Sequence, residues 1–383
     1  MPHLLSLPFP HRWFSQMAKE EVERHMRKAM NPEGSFLVRE GTNGYVLAVK
    51  HCGKPCSYQI FCSADQTYSL NPGGMPNYIT ISELVQEYRQ KKMGLVTLLT
   101  VPYISMRTEL PRESFSMDEE IHQGKHLVVW SGKFAASRDK STTAIAVKTI
   151  VVNEEQRTSS KAALYNEASL LNFISRSGGH ANILNMFGIC VWGEQPHLVV
   201  ELCYDLNLQQ IMKQHGDIYS SEHLTRFGFE IASAMAFLEE KGIVHRDLRA
   251  ANILVTNDAD CKLSGFHCAL TAAKTEEGMA VKTYAMTANP RWAAPEVYTG
   301  EIPYTSKSDV WSFGTLLIEL FSQGSEPYHH VSLADVKAML AHGTPPDIPH
   351  NCPLSVQSHI KSCLQINQSD RPSFSALMHV LDQ

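Results

Sequence analysis

The chain has no apolar run approaching the roughly 18 residues that a membrane span requires. Its longest, Thr315-Leu316-Leu317-Ile318-Glu319-Leu320-Phe321, is short and carries a glutamate. Charge of neither sign dominates: 34 basic and 39 acidic residues leave a net charge of -5. That balance gives no footing for nucleic-acid binding. There is no internal repeat and no low-complexity tract. The start of the chain has no signal peptide, and Pro2 stands where a myristoyl anchor needs glycine. With that start, nine cysteines, an odd number, read as reduced thiols rather than a disulfide scaffold. A soluble cytoplasmic protein without a membrane span is the expectation.

At 383 residues the chain is too long for one comfortable core, so two domains are expected. Composition and pattern change near residue 105. Before it, Lys19 to Met30 reads as a short helix, and Ser35–Glu40, Tyr45–Lys50 and Cys56–Cys62 read as strands between Gly, Asn and Pro turns. Thr80-Ile81-Ser82-Glu83 has the form of a capping box, opening a helix with Leu84, Val85 and Tyr88 on one face. Residues 105–118 are polar, contain Pro111 and read as a linker. Residues 119–201 then read mostly as strands with one helix, and 202–383 mostly as helices. The fold class expected is α+β in two domains.

In Phe36-Leu37-Val38-Arg39-Glu40 an arginine sits on a strand among apolar residues. Turned inward, it needs an anion, because an unpaired buried charge is too unfavourable. A guanidinium fork suits phosphate through two parallel charge-assisted bonds. With Trp13-Phe14 ahead of it and Gly94-Leu95-Val96 behind, residues 13–104 closely resemble an SH2 domain after a tail of residues 1–12. The resemblance implies a central antiparallel sheet flanked by two helices, and phosphotyrosine recognition. It makes Arg39 the phosphate arginine, with Lys19 near the family's second basic position. Two departures thin the pocket: Gly41 replaces the usual serine after Arg-Glu, and Ser57 replaces the usual histidine before the strand tyrosine, Tyr58. Each lost contact to a charged phosphate weakens binding by about 1.5–3 kcal/mol. His51, Cys52, Cys56 and Cys62 lie across a turn without a second clean ligand pair, which favours ordinary packing over zinc.

Further on, several motifs recur in order. Ile145-Ala146-Val147-Lys148 is a strand delivering a lysine, and Glu167 lies in a helical stretch, Lys161–Phe173, as its natural ion-pair partner. His245-Arg246-Asp247-Leu248-Arg249-Ala250-Ala251-Asn252 has the form H-R-D-x-x-x-x-N. Arg291-Trp292-Ala293-Ala294-Pro295-Glu296, Ser308-Asp309-Val310-Trp311 and Arg371-Pro372-Ser373-Phe374 follow. Together they resemble a cytoplasmic tyrosine-kinase domain over 119–383, with lobes at 119–201 and 202–383. An SH2 domain leading straight into a kinase resembles the Fps/Fer type, and more loosely Src and Csk relatives.

That resemblance implies ATP with magnesium or manganese. Asp247 becomes the base that orients the substrate hydroxyl, Asn252 a metal ligand, and Lys148 with Glu167 the phosphate-binding pair. Gly124, Val129, Ala146, Glu201 and Cys203 would line the nucleotide, with Val200 as gatekeeper. Asp309 would brace the catalytic loop and Glu296 would pair with Arg371. Tyr284, in the activation segment, is a candidate phosphorylation site.

Glycine is scarce where the resemblance most needs it. His122-Gln123-Gly124-Lys125-His126-Leu127 keeps one glycine of the three in G-x-G-x-x-G, with His122 and Leu127 at the other positions. Conversely, Gly265-Phe266-His267 has glycine where the family carries the metal-holding aspartate, and His267 where it carries glycine. Imidazole is a poor magnesium ligand. Phosphate and metal binding are thus both damaged, so a pseudokinase is expected. In that expectation the chain binds tyrosine-phosphorylated proteins and regulates or competes with an active tyrosine kinase. The alternatives are a working kinase with atypical metal use, and an adaptor in which only the SH2 domain matters.

Overall fold

Strands whose residues alternate between two buried faces must find an apolar layer on each side. The computed structural model describes residues 13–381 apart from 16, 29, 74, 104–107, 125–126, 136–141, 152–156, 194, 204–205, 276–277, 282–288 and 300–303. The first five strands are β1 (Phe14–Ser15), β2 (Phe36–Gly41), β3 (Gly44–His51), β4 (Lys54–Cys62) and β5 (Tyr68–Ser69), ordered as numbered. β1 joins β2 in parallel and the remaining pairs are antiparallel. Val38, Leu47, Val49 and Ile60 pack with Leu84, Val85 and Tyr88 of helix α2 (Ile81–Gln90). On the opposite face Leu37 and Ala48 pack with Val22 and Met26 of helix α1 (Lys19–Met26).

Two local readings shift. α1 stops at Met26 rather than Met30. Beyond it the Lys28 and Asn31 carbonyls accept hydrogen bonds at 2.9 and 2.7 Å from the buried Lys50 ammonium. The capping box is offset. The Glu83 N–H donates to the Thr80 hydroxyl, but the Glu83 carboxylate accepts from the N–H of Ile79, one residue earlier than a reciprocal box requires.

A second sheet is ordered β6-β7-β8-β10-β9: β6 (Glu120–Gln123), β7 (Leu127–Ala135), β8 (Thr142–Ile150), β9 (Met186–Trp192) and β10 (Gln195–Glu201). Helix α3 (Arg157–Arg176) lies between β8 and β9 in sequence. The segment read as a linker is packed onto this sheet from Thr108. The Leu110 N–H donates to the Ile189 carbonyl at 2.9 Å, Ser116 to Lys133 at 2.9 Å and Asp118 to Ser131 at 2.8 Å. Phe115 is buried against Ile145, Val147 and Val199, with Leu110 and Met117 beside it. Glycines make room for this approach. A Cβ on Gly132 would lie 2.1 Å from the Ser116 carbonyl oxygen, and one on Gly188 2.5 Å from that of Thr108.

The remaining elements are mainly helical: α4 (Leu208–His215), α5 (Ser221–Glu240), α6 (Pro295–Thr299), α7 (Ser306–Phe321), α8 (Leu333–Ala341), α9 (Leu354–Cys363) and α10 (Phe374–Leu381). Two short antiparallel ribbons accompany them: β11 (Ile243–Val244) with β14 (Leu270–Thr271), and β12 (Ile253–Val255) with β13 (Cys261–Leu263). From Ser308 to Phe321 every residue of α7 is buried. The chain divides into two compact units: Met1–Gly178 with Asn185–Leu202 and Ala273–Glu276, and Gly179–Leu184 with Cys203–Ala272 and Glu277–Gln383. No described helix is long and apolar enough to cross a membrane.

Candidate functional site

In the first sheet Arg39 pairs with Val46 and Val46 with Gln59, while Ala48 pairs with Ser57. Residues paired across strands, or two apart along one, share a face. Arg39 and Ser57 therefore lie on the α1 side of the sheet. Arg39 is half-buried, and its Nη1 donates to the Glu40 carbonyl at 2.8 Å. No carboxylate pairs with it among the described residues. Lys19 opens α1, and its ammonium lies 4.0 Å from Glu23, which pairs with it on the exposed surface.

The turn beside Arg39 is tight, since Gly41 pairs with Gly44 and only Thr42 and Asn43 intervene. The Gln59 amide braces it by donating to the Asn43 and Tyr45 carbonyls, each at 3.0 Å. A Cβ on Gly41 would lie 2.8 Å from Cγ2 of Val46, so the neighbouring strand holds this position small. His51 and Cys52 are neighbours at the next turn. No group of three metal-ligating side chains occurs among the described residues.

Lys148 sits mid-sheet, paired with Val129 on β7 and Leu198 on β10. Its ammonium donates to Glu167 Oε1 on α3 at 2.7 Å, and both side chains are buried. Ala146 lies opposite Ser131 and Val200, and His122 opposite Val129. The Gly124 N–H donates to the Leu127 carbonyl at 2.8 Å. A Cβ on Gly124 would meet nothing nearer than 3.4 Å, so local packing does not force this glycine. Glu201 Oε1 accepts from the Asn185 N–H at 2.7 Å. Val200 and Cys203 are buried. Tyr284 lies outside the described residues.

The second unit holds Asp247, Arg249, Asn252, Gly265 and His267 together. Asn252 Nδ2 donates to the Asp247 carbonyl at 2.6 Å and to its Oδ2 at 2.7 Å. Arg249 Nε lies 3.1 Å from Asp247 Oδ1, an ion pair in which the Nε–H is not aligned as a hydrogen bond. His267 Nε2 is 3.9 Å from Oδ2. Gly265 has φ +79°. Phe266 is fully buried with its ring edge-to-face on His245, a packing role.

Magnesium and manganese require several oxygen ligands. Here position 265 offers no carboxylate, and with the Asn252 nitrogen on Asp247 the carboxamide has only its Oδ1 to offer a cation. The residues present do not fit a resident divalent ion.

The surroundings of this loop are firmly built. Asp309 accepts from the N–H groups of His245 at 2.7 Å and Arg246 at 2.9 Å. Burial pushes its carboxyl up to about 7, against these bonds and that from Tyr304, which favour the charged form. Arg371 donates to both carboxylate oxygens of Glu296, at 2.7 and 2.8 Å.

Sequence reasoning missed Glu319. Its Oε2 accepts from the Ala250 N–H at 3.0 Å and Trp292 Nε1 at 2.7 Å, joining the catalytic loop to the Arg291–Glu296 segment. Burial pushes it up to about 7 as well. The signal was a carboxylate inside the longest apolar run. Arg291 is not free for docking: its guanidinium donates to the carbonyls of Pro327, Tyr328 and Val331.

Residues 115–381 match the family model "Protein tyrosine and serine/threonine kinase", and residues 13–88 match "SH2 domain". The chain is 32% identical over 358 residues to the tyrosine-protein kinase transforming protein Fps of Fujinami sarcoma virus, covering 92% of this chain and 39% of that protein. It is 28% identical to mouse tyrosine-protein kinase Srms, covering 97% of this chain and 73% of the relative. Against mouse tyrosine-protein kinase Fgr it is 29% identical, covering 97% and 71% respectively. The chain thus spans well under half of the Fps protein from Fujinami sarcoma virus, and 64% of the Fps protein of avian sarcoma virus strain PRCII. Kinases of this family generally use ATP with magnesium or manganese. The kinase match, which covers more than half of the chain, makes it a member of the protein tyrosine and serine/threonine kinase family, with an SH2 domain ahead of the kinase domain.

Proposed function

We propose that this protein reads phosphotyrosine through its SH2 domain and that its kinase domain is a pseudokinase. The observation that carries this reading is the state of Asp247. Arg249 and Asn252 engage its two carboxylate oxygens, and Gly265 supplies no ligand for a cation. The first sheet supports the other half, since Arg39 has no carboxylate partner among the described residues. In this reading Arg39 takes the phosphate, with Lys19 and Ser57 on the same side of the sheet. Tyrosine-phosphorylated proteins in the cytoplasm are the ligands, and an active tyrosine kinase is a further partner. Tyr284 is a site at which such a kinase would act.

A second reading, a working kinase, is favoured by one observation: Lys148 and Glu167 are joined at 2.7 Å. That pair is also what a nucleotide-sensing pseudokinase would keep, binding ATP without a metal. The test is made on the full chain. Phosphotyrosine peptides, displayed as a mixed pool, are expected to bind, while incubation with ATP and magnesium or manganese transfers no phosphate to a tyrosine polymer. Metal-dependent transfer that vanishes in Asp247→Asn would establish the working kinase instead. Thermal stabilisation by ATP alone would mark nucleotide sensing.

A further inference from the structure

Phe61, near the end of β4, is a large apolar side chain that the fold leaves in solvent, 37% exposed. Its neighbour Ile60 is buried with the α2 layer, so the alternation of the strand turns Phe61 to the opposite face. That is the face of Arg39, because Arg39, Val46 and Gln59 are paired across β2, β3 and β4. Phe61 stands two residues beyond Gln59 on that face.

The space between the two side chains is kept low. Gly41 and Gly44, at the ends of the tight turn, place no side chain there, and Gly44 has φ +104°. The Gln59 side chain lies down on the backbone. Besides the Asn43 and Tyr45 carbonyls, its amide donates to that of Ile60 at 3.2 Å. It is a floor, spent on the chain rather than on a ligand. Two strands across and two residues along put the Cα atoms of Arg39 and Phe61 about 12 Å apart. A phosphate on the guanidinium and its phenyl ring on Phe61 together span that gap.

We infer that Phe61 is the wall that takes the phenyl ring of the phosphotyrosine whose phosphate Arg39 holds. A guanidinium by itself reads only the phosphate. An aromatic wall adds ring contact and buried apolar area that phosphothreonine and phosphoserine cannot supply. Phe61 thereby makes the site selective for phosphotyrosine. The inference deepens the phosphotyrosine reading of this face and rests on it.

The test uses the full chain and two fluorescein-labelled peptide pools with the same randomised flanks. One pool is built on phosphotyrosine and the other on phosphothreonine, and both are titrated by fluorescence anisotropy. Phe61→Ala is expected to weaken capture of the phosphotyrosine pool roughly 10-fold, with the melting temperature nearly unchanged. The factor should be the same at low and high sodium chloride, because salt does not screen an apolar contact. Phe61→Tyr keeps the ring and should restore capture to within about twofold.

Undiminished capture by Phe61→Ala would overturn the inference. So would a loss that Phe61→Tyr does not restore, or an equal fractional loss with the phosphothreonine pool. If Arg39→Ala weakens capture and Phe61→Ala does not, the phosphotyrosine reading stands and the inference alone fails. Capture of neither pool by the wild type removes both.

Discussion

The Arg39 face and the Asp247 loop both hold charge out of full solvent, yet they treat it in opposite ways. Among the described residues, Arg39 donates to a neighbouring carbonyl and pairs with no carboxylate. Asp247 has a guanidinium and an amide, with an imidazole near by. A half-buried cation without a counter-ion is unfavourable until an anion arrives, so the first site is poised for a ligand. The second site has supplied its own partners and gains little from one. On the proposed reading, the binding surface and the kinase loop differ in which charges the fold has already answered.

The comparison breaks most severely if an answered charge is uncovered. Glu296→Ala leaves Arg371, almost wholly buried, without its carboxylate, and should destabilise the second unit by about 3–5 kcal/mol in urea unfolding. A loss under about 1 kcal/mol would mean the pair is dispensable. At the open site, Arg39→Ala should weaken capture of phosphotyrosine peptides about 100-fold by fluorescence anisotropy, with the melting temperature nearly unchanged. Arg39→Lys, which keeps charge but loses the fork, should lose about 10-fold. Unaltered binding in both would place the phosphate elsewhere.

The answered side is sharpened by pH. Glu319 is pushed up to about 7 in the folded chain, against about 4.3 for an exposed glutamate. The folded state therefore holds more protons than the unfolded between those values, and stability falls as pH rises through that window. Asp309, shifted the same way, contributes in the same direction. Glu319→Gln should flatten the decline between about pH 5 and pH 7 by on the order of 1–3 kcal/mol, leaving the part due to Asp309. An unchanged slope in urea unfolding would assign the decline elsewhere. The smallest effect is at the edge of the open domain. Thr80→Ala should lower its stability by about 1 kcal/mol, because the Glu83 N–H loses its acceptor.

Much of this was legible in the sequence wherever a charged residue sits in apolar surroundings. Lys148 with Glu167 could be named because both sit in apolar surroundings at the motif spacing, whereas Asp309, and Glu296 with Arg371, were named from the family resemblance. Glu319 carried the same signal inside its apolar run and was passed over. What could not be read were contacts made by atoms that glycine lacks. That Gly41 is held small by Val46 depends on a neighbour brought close only by folding. The segment from Thr108 was hidden for a different reason: its polar residues outweighed Leu110, Phe115 and Met117, whose burial decides where it lies.

That segment has a practical consequence. β9 is the outer strand of its sheet, and the Leu110 N–H occupies one of its carbonyls. A kinase fragment cut at residue 119 would expose that strand edge together with the apolar hollow left by Phe115. Such an edge recruits strands from other chains. Aggregation of the fragment would then be a fault of where the cut was made, and a fragment beginning before Thr108 should stay in solution.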